Sequence, residues 1–167
     1  IDACLVGSEM CIRDRNLALS SNQNLDFIFE RDGQLVDLGK TQLAYSPNLI
    51  SGSSLTYAAS TNFQITLLSK FVGKQYMGNI DSENSILPSY FINDLNISYV
   101  WRPNKLLKEI QFSFLINNLL NKQYESNGYF YTYNDTWSAP GKITTIEGAG
   151  FYPQAGINFL TGLMIKF

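Results

Sequence analysis

Enzymatic or metal chemistry needs particular side chains at particular spacings, and here the supply is thin. The 167 residues contain no His. That removes Ser-His-Asp and Cys-His nucleophilic catalysis, the HExxH zinc site and His-ligated metal centres. Cys4 and Cys11 are the two thiols, and two cysteines without a His make a weak metal signal. Asp81 and Glu83 form a close acidic pair, but they fall in a polar stretch that reads as a solvated loop rather than as a general acid and base. Aromatic residues are the more suggestive feature. Between Glu125 and Pro153 lie Tyr129, Phe130, Tyr131, Tyr133, Trp137, Phe151 and Tyr152. Aromatic faces stack on flat or sugar ligands; the same residues also serve as a belt at a membrane–water boundary or as packing within a long loop. Belt and packing are the preferred reading. No catalytic, cofactor-binding or metal-binding residue is assigned, and the chain is expected not to be an enzyme.

Composition narrows the class of protein that holds these residues. Hydrophobic residues make up 45%, charged residues 16% and aromatics 14%, with ten Tyr and eleven Phe. The formal net charge is −2, and no basic stripe gives nucleic acid an electrostatic footprint. The length allows one ordinary domain. No apolar run approaches the roughly 18 residues of a membrane-spanning helix. No basic segment followed by an apolar stretch opens the chain as a signal peptide would.

Residues 1–15 stand apart. Ile1–Arg15 lacks the period-two alternation that dominates everything after Asn16. Glu9-Met10-Cys11-Ile12-Arg13-Asp14 resembles the translation of a common transposon-based sequencing adapter, with Arg15 as a junction codon. Residues 1–15 are therefore expected not to be native, and are set aside as a fusion scar would be. Without Asp2, Glu9, Asp14, Arg13 and Arg15, ten basic and eleven acidic residues remain and no cysteine.

From Asn16 the pattern predicts six strands and no helix. The first runs from Asn16 to about Glu30, with a turn at Arg31-Asp32-Gly33. The second spans Leu43 to Ala58, followed by a polar turn at Ser60-Thr61-Asn62. The third sets Phe63, Ile65, Leu67 and Phe71 against Gln64, Thr66 and Lys70. The fourth sets Phe91, Leu95, Ile97, Tyr99 and Trp101 against Asp94, Asn96 and Ser98, and leads to a turn at Pro103-Asn104-Lys105. The fifth sets Phe112, Phe114 and Ile116 against Gln111, Ser113 and Asn117. A long aromatic loop, 123–153, precedes a sixth strand with Phe159, Thr161, Leu163, Ile165 and Phe167 on one face.

These strands are longer than the ~5–6 residues typical of soluble proteins. Short turns alternate with long connections. Lipid demands that every backbone N–H and C=O find a partner, so a sheet must close with an apolar outside, and its lumen tolerates polar groups. The expected architecture is therefore all-β: an antiparallel transmembrane β-barrel. Six strands do not make such a barrel, so they are read as the last six of a larger one, with short turns in the periplasm. On this reading the true N-terminus lies upstream. The alternative is a small soluble β-sandwich binding module.

Particular segments carry a resemblance. Phe71-Val72-Gly73-Lys74-Gln75-Tyr76 with Met77-Gly78-Asn79, then Leu87-Pro88-Ser89-Tyr90 leading to Asn93-Asp94-Leu95, resemble successive strands of TonB-dependent outer-membrane receptors of Bacteroidetes-type bacteria. Ile116-Asn117-Asn118-Leu119-Leu120-Asn121-Lys122-Gln123-Tyr124 is similar to the penultimate-strand motif of that family. The stretch from Phe151-Tyr152-Pro153-Gln154-Ala155-Gly156 to Phe167 is similar to its ending. The resemblance implies residues 16–167 are the C-terminal part of a barrel of about 22 strands in a bacterial outer membrane. It implies import of a scarce small-molecule or glycan ligand (siderophore, cobalamin or glycan class), driven by the proton gradient through the TonB complex. The plug and TonB contacts would lie in a missing N-terminal region. The implied partners are outer-membrane lipid and the barrel-assembly machinery; no cofactor and no nucleic acid are implied. Gly162, Ile165 and Phe167 fit the family's terminal assembly signal, although Leu160 stands where a polar residue is usual.

Overall fold

The computed structural model describes residues 2–6, 9–103 and 107–167. In chain order the first strands are β1 (Asp2–Val6), β2 (Glu9–Leu19), β3 (Gln23–Asn24), β4 (Ile28–Arg31), β5 (Gln34–Asp37), β6 (Thr41–Gln42), β7 (Leu49–Ser60) and β8 (Phe63–Val72). They are followed by β9 (Gln75–Tyr76), β10 (Ile86–Leu87), β11 (Tyr90–Trp101), β12 (Glu109–Asn117), β13 (Glu125–Asp135), β14 (Thr144–Pro153) and β15 (Asn158–Lys166). One 3₁₀ turn covers Glu83–Ser85, and no α-helix occurs among the described residues. The protein is all-β.

Seven strands form one antiparallel sheet in the order β1-β2-β7-β8-β11-β12-β15. It does not close on itself: β1 and β15 are its two edges. The register builds rows of like residues, because directly paired residues share a face. One row runs Leu55, Leu67, Leu95, Ile116, Phe159; the next runs Tyr57, Ile65, Ile97, Phe114, Thr161. Below them come Phe63, Tyr99, Phe112 and Leu163, then Trp101, Ile110 and Ile165. The opposite face pairs Thr56 with Thr66, Gln64 with Ser98, and Ser113 with Gly162. Most of the apolar face lies open, with Leu55, Tyr99, Trp101, Phe112, Phe159 and Leu163 all exposed. The buried apolar residues are Val72, Met77, Leu87, Tyr90 and Ile110, four of them near the long-connection end.

Alternation beyond residue 60 places the sheet strands well, and the differences lie elsewhere. The predicted first strand, Asn16 to Glu30, instead ends at Leu19. Polar Ser20-Ser21-Asn22 interrupts it, and residues 28–37 make a separate hairpin, β4–β5. Asp32 and Gly33 at its turn both have positive φ, 53° and 75°, the conformation a two-residue hairpin turn requires. The second strand begins at Leu49 rather than Leu43, since Pro47 has no N–H for the ladder. Of the predicted turn Pro103-Asn104-Lys105, Asn104 and Lys105 lie outside the described residues. The predicted loop 123–153 is largely a hairpin of two long strands, β13 and β14. Its Tyr129, Tyr131 and Tyr133 are themselves an alternation of strand-favouring residues.

Residues 9–15 are part of β2, paired with β7 from Met10↔Ala58 to Leu19↔Leu49. That register puts Arg13 opposite Leu55 and Arg15 opposite Ser53, so both arginines fall on the apolar face. From Leu17 onward the same face carries Leu17 and Leu19.

Asn118 turns the chain from the wall into the β13–β14 hairpin. It adopts φ 51° and is only 3% exposed. Its N–H donates to Asp94 Oδ1 at 2.8 Å, and its Nδ2 donates to the Lys122 and Ala155 carbonyls at 2.8 and 3.1 Å. Its Oδ1 accepts from the Lys122 N–H at 2.9 Å. Asn is among the few residues that tolerate this backbone while bonding locally. Asn118→Ala is expected to destabilise the protein by about 2–4 kcal/mol, from unpaired buried groups plus backbone strain. Asn118→Gly, which keeps the backbone freedom, should cost about half as much; chemical unfolding of the two variants checks the order.

Candidate functional site

Two regions hold the residues with functional potential: the terminal strand and the long-connection end. β15 pairs with β12 through nine positions, from Glu109↔Lys166 to Asn117↔Asn158, and its other edge is unpaired. Gly162 lies opposite Ser113, close enough that a Cβ there would sit 2.5 Å from the Ser113 Oγ. Ile165 lies opposite Ile110 in the apolar rows. Phe167 follows the strand and is 79% exposed. Gly162 and Ile165 thus stand on opposite faces of one edge strand, and nothing packs over Phe167. Beside them, Glu109 pairs with Arg102 at 3.2 Å and Lys166 at 2.6 Å, gathering charge at the short-turn end.

At the other end, the β13–β14 hairpin is held by four separate connections, one of them from Asn134 Nδ2 to Glu30 Oε1 at 2.9 Å. The Tyr45 hydroxyl donates to the Gly128 carbonyl at 2.8 Å. The Asp32 N–H donates to Thr145 Oγ1, and the Thr145 N–H donates back to Asp32 Oδ1, both at 2.7 Å. Glu147 accepts from the Ser82 hydroxyl and from Asn84 Nδ2, and pairs with Arg31 at 3.5 Å. Gly78 has no room for a side chain, because Phe130 Cδ1 lies 2.5 Å from where its Cβ would be. These contacts all use the face carrying Phe130 and Glu147.

The acidic pair is split between structural duties. Asp81 Oδ1 accepts the Gln42 N–H at 2.8 Å, while Glu83 begins the 3₁₀ turn. Cys11 is a free thiol, opposite Cys4 in the β1–β2 register. No group of three potential metal ligands gathers among the described residues. Of the resemblance motifs, Gly73 sits at the break after β8, where its N–H donates to the Leu49 carbonyl at 2.8 Å. Lys74 lies over the Tyr76 ring at 5.1 Å. Tyr124 packs against Tyr90 with ring centroids 4.5 Å apart; burial, then the Asp94 charge, push its hydroxyl pKa up.

The other face of the hairpin bears a file of rings that composition alone did not resolve. Tyr152, Tyr129, Tyr131, Tyr133 and Trp137 follow one another with centroids 6.0, 6.2, 6.4 and 5.9 Å apart. From Tyr129 to Trp137 successive planes differ by 17°, 16° and 3°. Tyr129 and Tyr131 lean across the partner strand onto Gly150 and Gly148, where a Cβ would collide with their rings. All five residues are exposed, Trp137 at 70%. The visible signal was the alternation of tyrosines opposite glycines; the turn at 136–143 concealed it by placing the two halves far apart in sequence.

Trp137 is fixed by Asp135, whose Oδ1 accepts the Trp137 and Ser138 N–H groups at 3.0 and 3.1 Å. Hydrogen bonding from the Ser138 side chain, then from its backbone, holds the Asp135 pKa below its ordinary value. A carboxylate with a lowered folded-state pKa stabilises above its unfolded value and loses that contribution as pH falls through the folded one. In a Trp101→Phe background, Trp137 emission should therefore change on acidification with a midpoint below the usual Asp range, and Asp135→Ala should abolish the transition. Compared with protein-family models, curated proteins and solved structures, the chain matches none.

Proposed function

We propose that residues 16–167 are the C-terminal part of a transmembrane β-barrel of about 22 strands, belonging to a TonB-dependent receptor of a bacterial outer membrane. In this role it imports a scarce ligand of siderophore, cobalamin or glycan class with energy from the proton gradient through TonB. The observation that carries this reading is the apolar face of the sheet. Its rows include Leu55, Leu67, Leu95 and Ile116, then Ile65 and Ile97, with Tyr99, Phe112 and Trp101 at one end. At the other end a polar row of Ser53, Ser69 and Asn93, joined by a Ser69–Asn93 hydrogen bond, separates them from Phe71 and Phe91. From Phe91 to Trp101, β11 advances about 33 Å along its axis; with a tilt near 45° the height is about 23 Å, against a band of about 25 Å in outer-membrane barrels. Wall strands of 9 to 12 residues compare with about 9–11 for a tilted transmembrane strand.

The unpaired outer edge of β15 also favours a larger barrel, because lipid leaves no partner for an open edge. Arg13, opposite Leu55, interrupts the band within the adapter-like segment, which supports a junction near Asn16; Arg15 falls in the polar row of Ser53, Ser69 and Asn93. Partners on this reading are outer-membrane lipid, the assembly machinery at Gly162, Ile165 and Phe167, and TonB acting through an N-terminal region.

In the receptor that carries this segment, Ile97→Arg on the band should cost about 2–4 kcal/mol of stability in the bilayer. Asn96→Arg, one residue away and facing the lumen, should cost far less. Outer-membrane yield and thermal unfolding in vesicles read the contrast. Equal effects, or recovery of Asn16–Phe167 in the soluble fraction without detergent, would favour the β-sandwich module instead. Deleting Phe167 should slow assembly of the receptor, seen in pulse-chase as delayed folded barrel; unchanged outer-membrane levels would remove its signal role.

A further inference from the structure

The hairpin β13–β14 has two faces with different fates. One is committed to the rest of the protein through Phe130, Glu147 and Thr145. The other carries the ring file, and nothing in the described protein covers it. Its other positions by the register are Asn127, Thr144, Ile146, Gly148, Gly150 and Asp135, so the one charge among them is the Asp135 carboxylate at the turn end. The nearest carboxylates are engaged elsewhere: Glu147 on the opposite face and Asp135 in its own turn. The hydroxyls of Tyr129, Tyr131, Tyr133 and Tyr152 make no hydrogen bond to a described residue.

We propose that this face is a binding site for a neutral, linear oligosaccharide, with the five rings as successive stacking positions. Three features select that class. Evenly spaced, near-parallel rings suit a ligand that repeats, whereas one compact flat ligand would engage only one or two of them. Sugar rings offer apolar C–H faces to aromatic faces, and their hydroxyls match free tyrosine hydroxyls. No cation stands on the face to compensate a polyanion on burial, and the Asp135 carboxylate repels one. Glycines beneath Tyr129 and Tyr131 leave room for those rings to lean across the partner strand. As the class of the imported ligand, this deepens the receptor reading and rests on it; as binding, it rests on the hairpin alone.

The test uses the full chain in detergent micelles with Trp101→Phe, so that Trp137 is the fluorescent reporter. Cellohexaose, xylohexaose, mannohexaose and maltohexaose are titrated, with hexagalacturonate as the charged counterpart. At least one neutral hexasaccharide should change Trp137 emission saturably, with hexagalacturonate much weaker. Tyr131→Ala should weaken binding about threefold to tenfold, Tyr131→Phe should keep most of it, and Tyr99→Ala on the wall should leave it unchanged. Absence of any response to the neutral sugars at millimolar concentration would overturn the proposal, as would unaltered binding by Tyr131→Ala. Quenching of Trp137 by brominated lipid tails in vesicles would also overturn it, by placing the rings among acyl chains. Sugar binding by a chain that fails to enter membranes would leave this site standing and sink the receptor reading alone.

Discussion

Strand register is the constraint on which the rest of the structure depends. A backbone hydrogen bond contributes about 1 kcal/mol net, but the ladder also decides which side chains share a face. A slip of one residue between β8 and β11 would turn Ile65 and Leu67 to the polar side and bring Thr66 and Gln64 into the apolar band. Correct pairing instead aligns Leu55, Leu67, Leu95 and Ile116 across four strands. The polar turn at Ser60–Asn62 anchors this register, with Ser60 Oγ accepting the Asn62 and Phe63 N–H groups at 3.3 and 3.1 Å. At the same end Arg102 spans Asn62 and Glu109, tying two turns of the wall together.

Fixing the wall fixes what the long connections can do. Asn118 and Asn121, both with positive φ, redirect the chain after β12 so that β13 leaves the sheet plane as a separate hairpin. Asn121 Oδ1 then receives the Ile157 N–H at 3.0 Å as the chain returns to β15. The hairpin is therefore suspended between two adjacent wall strands and braced by the β4–β5 hairpin and the 3₁₀ turn. Its braces are partly exposed polar contacts, and an ion pair such as Arg31–Glu147 contributes at most about 1 kcal/mol in that setting. Buried polar groups at Asn118 and the packing of Phe130 over Gly78 hold it more firmly.

Much of the wall was legible in the sequence, because period two is a direct consequence of strand geometry. Phe63 to Leu67, Leu95 to Trp101 and Phe112 to Asn117 alternate and are strands; the alternation lapses at Leu68-Ser69 and Ile92-Asn93, yet the strands continue through them. Leu25 to Phe29 reads as a continuation of the first strand, but local turn chemistry at Asp32-Gly33 captures it in its own hairpin. The glycine-rich composition of 123–153 masks strand propensity there: Gly148 and Gly150 lower it, yet they make the space into which Tyr131 and Tyr129 fall. That compensation is a cross-strand property, invisible until the register of β13 against β14 is known. The terminal residues Gly162, Ile165 and Phe167 were visible as a pattern, whereas their distribution over two faces of an edge strand follows from pairing with β12.

The central claim is that the apolar rows face lipid while the alternate rows face a lumen. The most direct measurement is a lipid-accessibility scan of β11 in membranes, with single cysteines introduced from residue 94 to 99 in a Cys4→Ser, Cys11→Ser background and labelled with a nitroxide. Collision with dissolved oxygen reports acyl chains, and collision with a water-soluble nickel chelate reports the lumen. A lipid-facing wall gives a period of two, with positions 95, 97 and 99 rich in oxygen contact and positions 94, 96 and 98 rich in nickel contact. A scan without that alternation, or with nickel contact at 95, 97 and 99, would contradict the account.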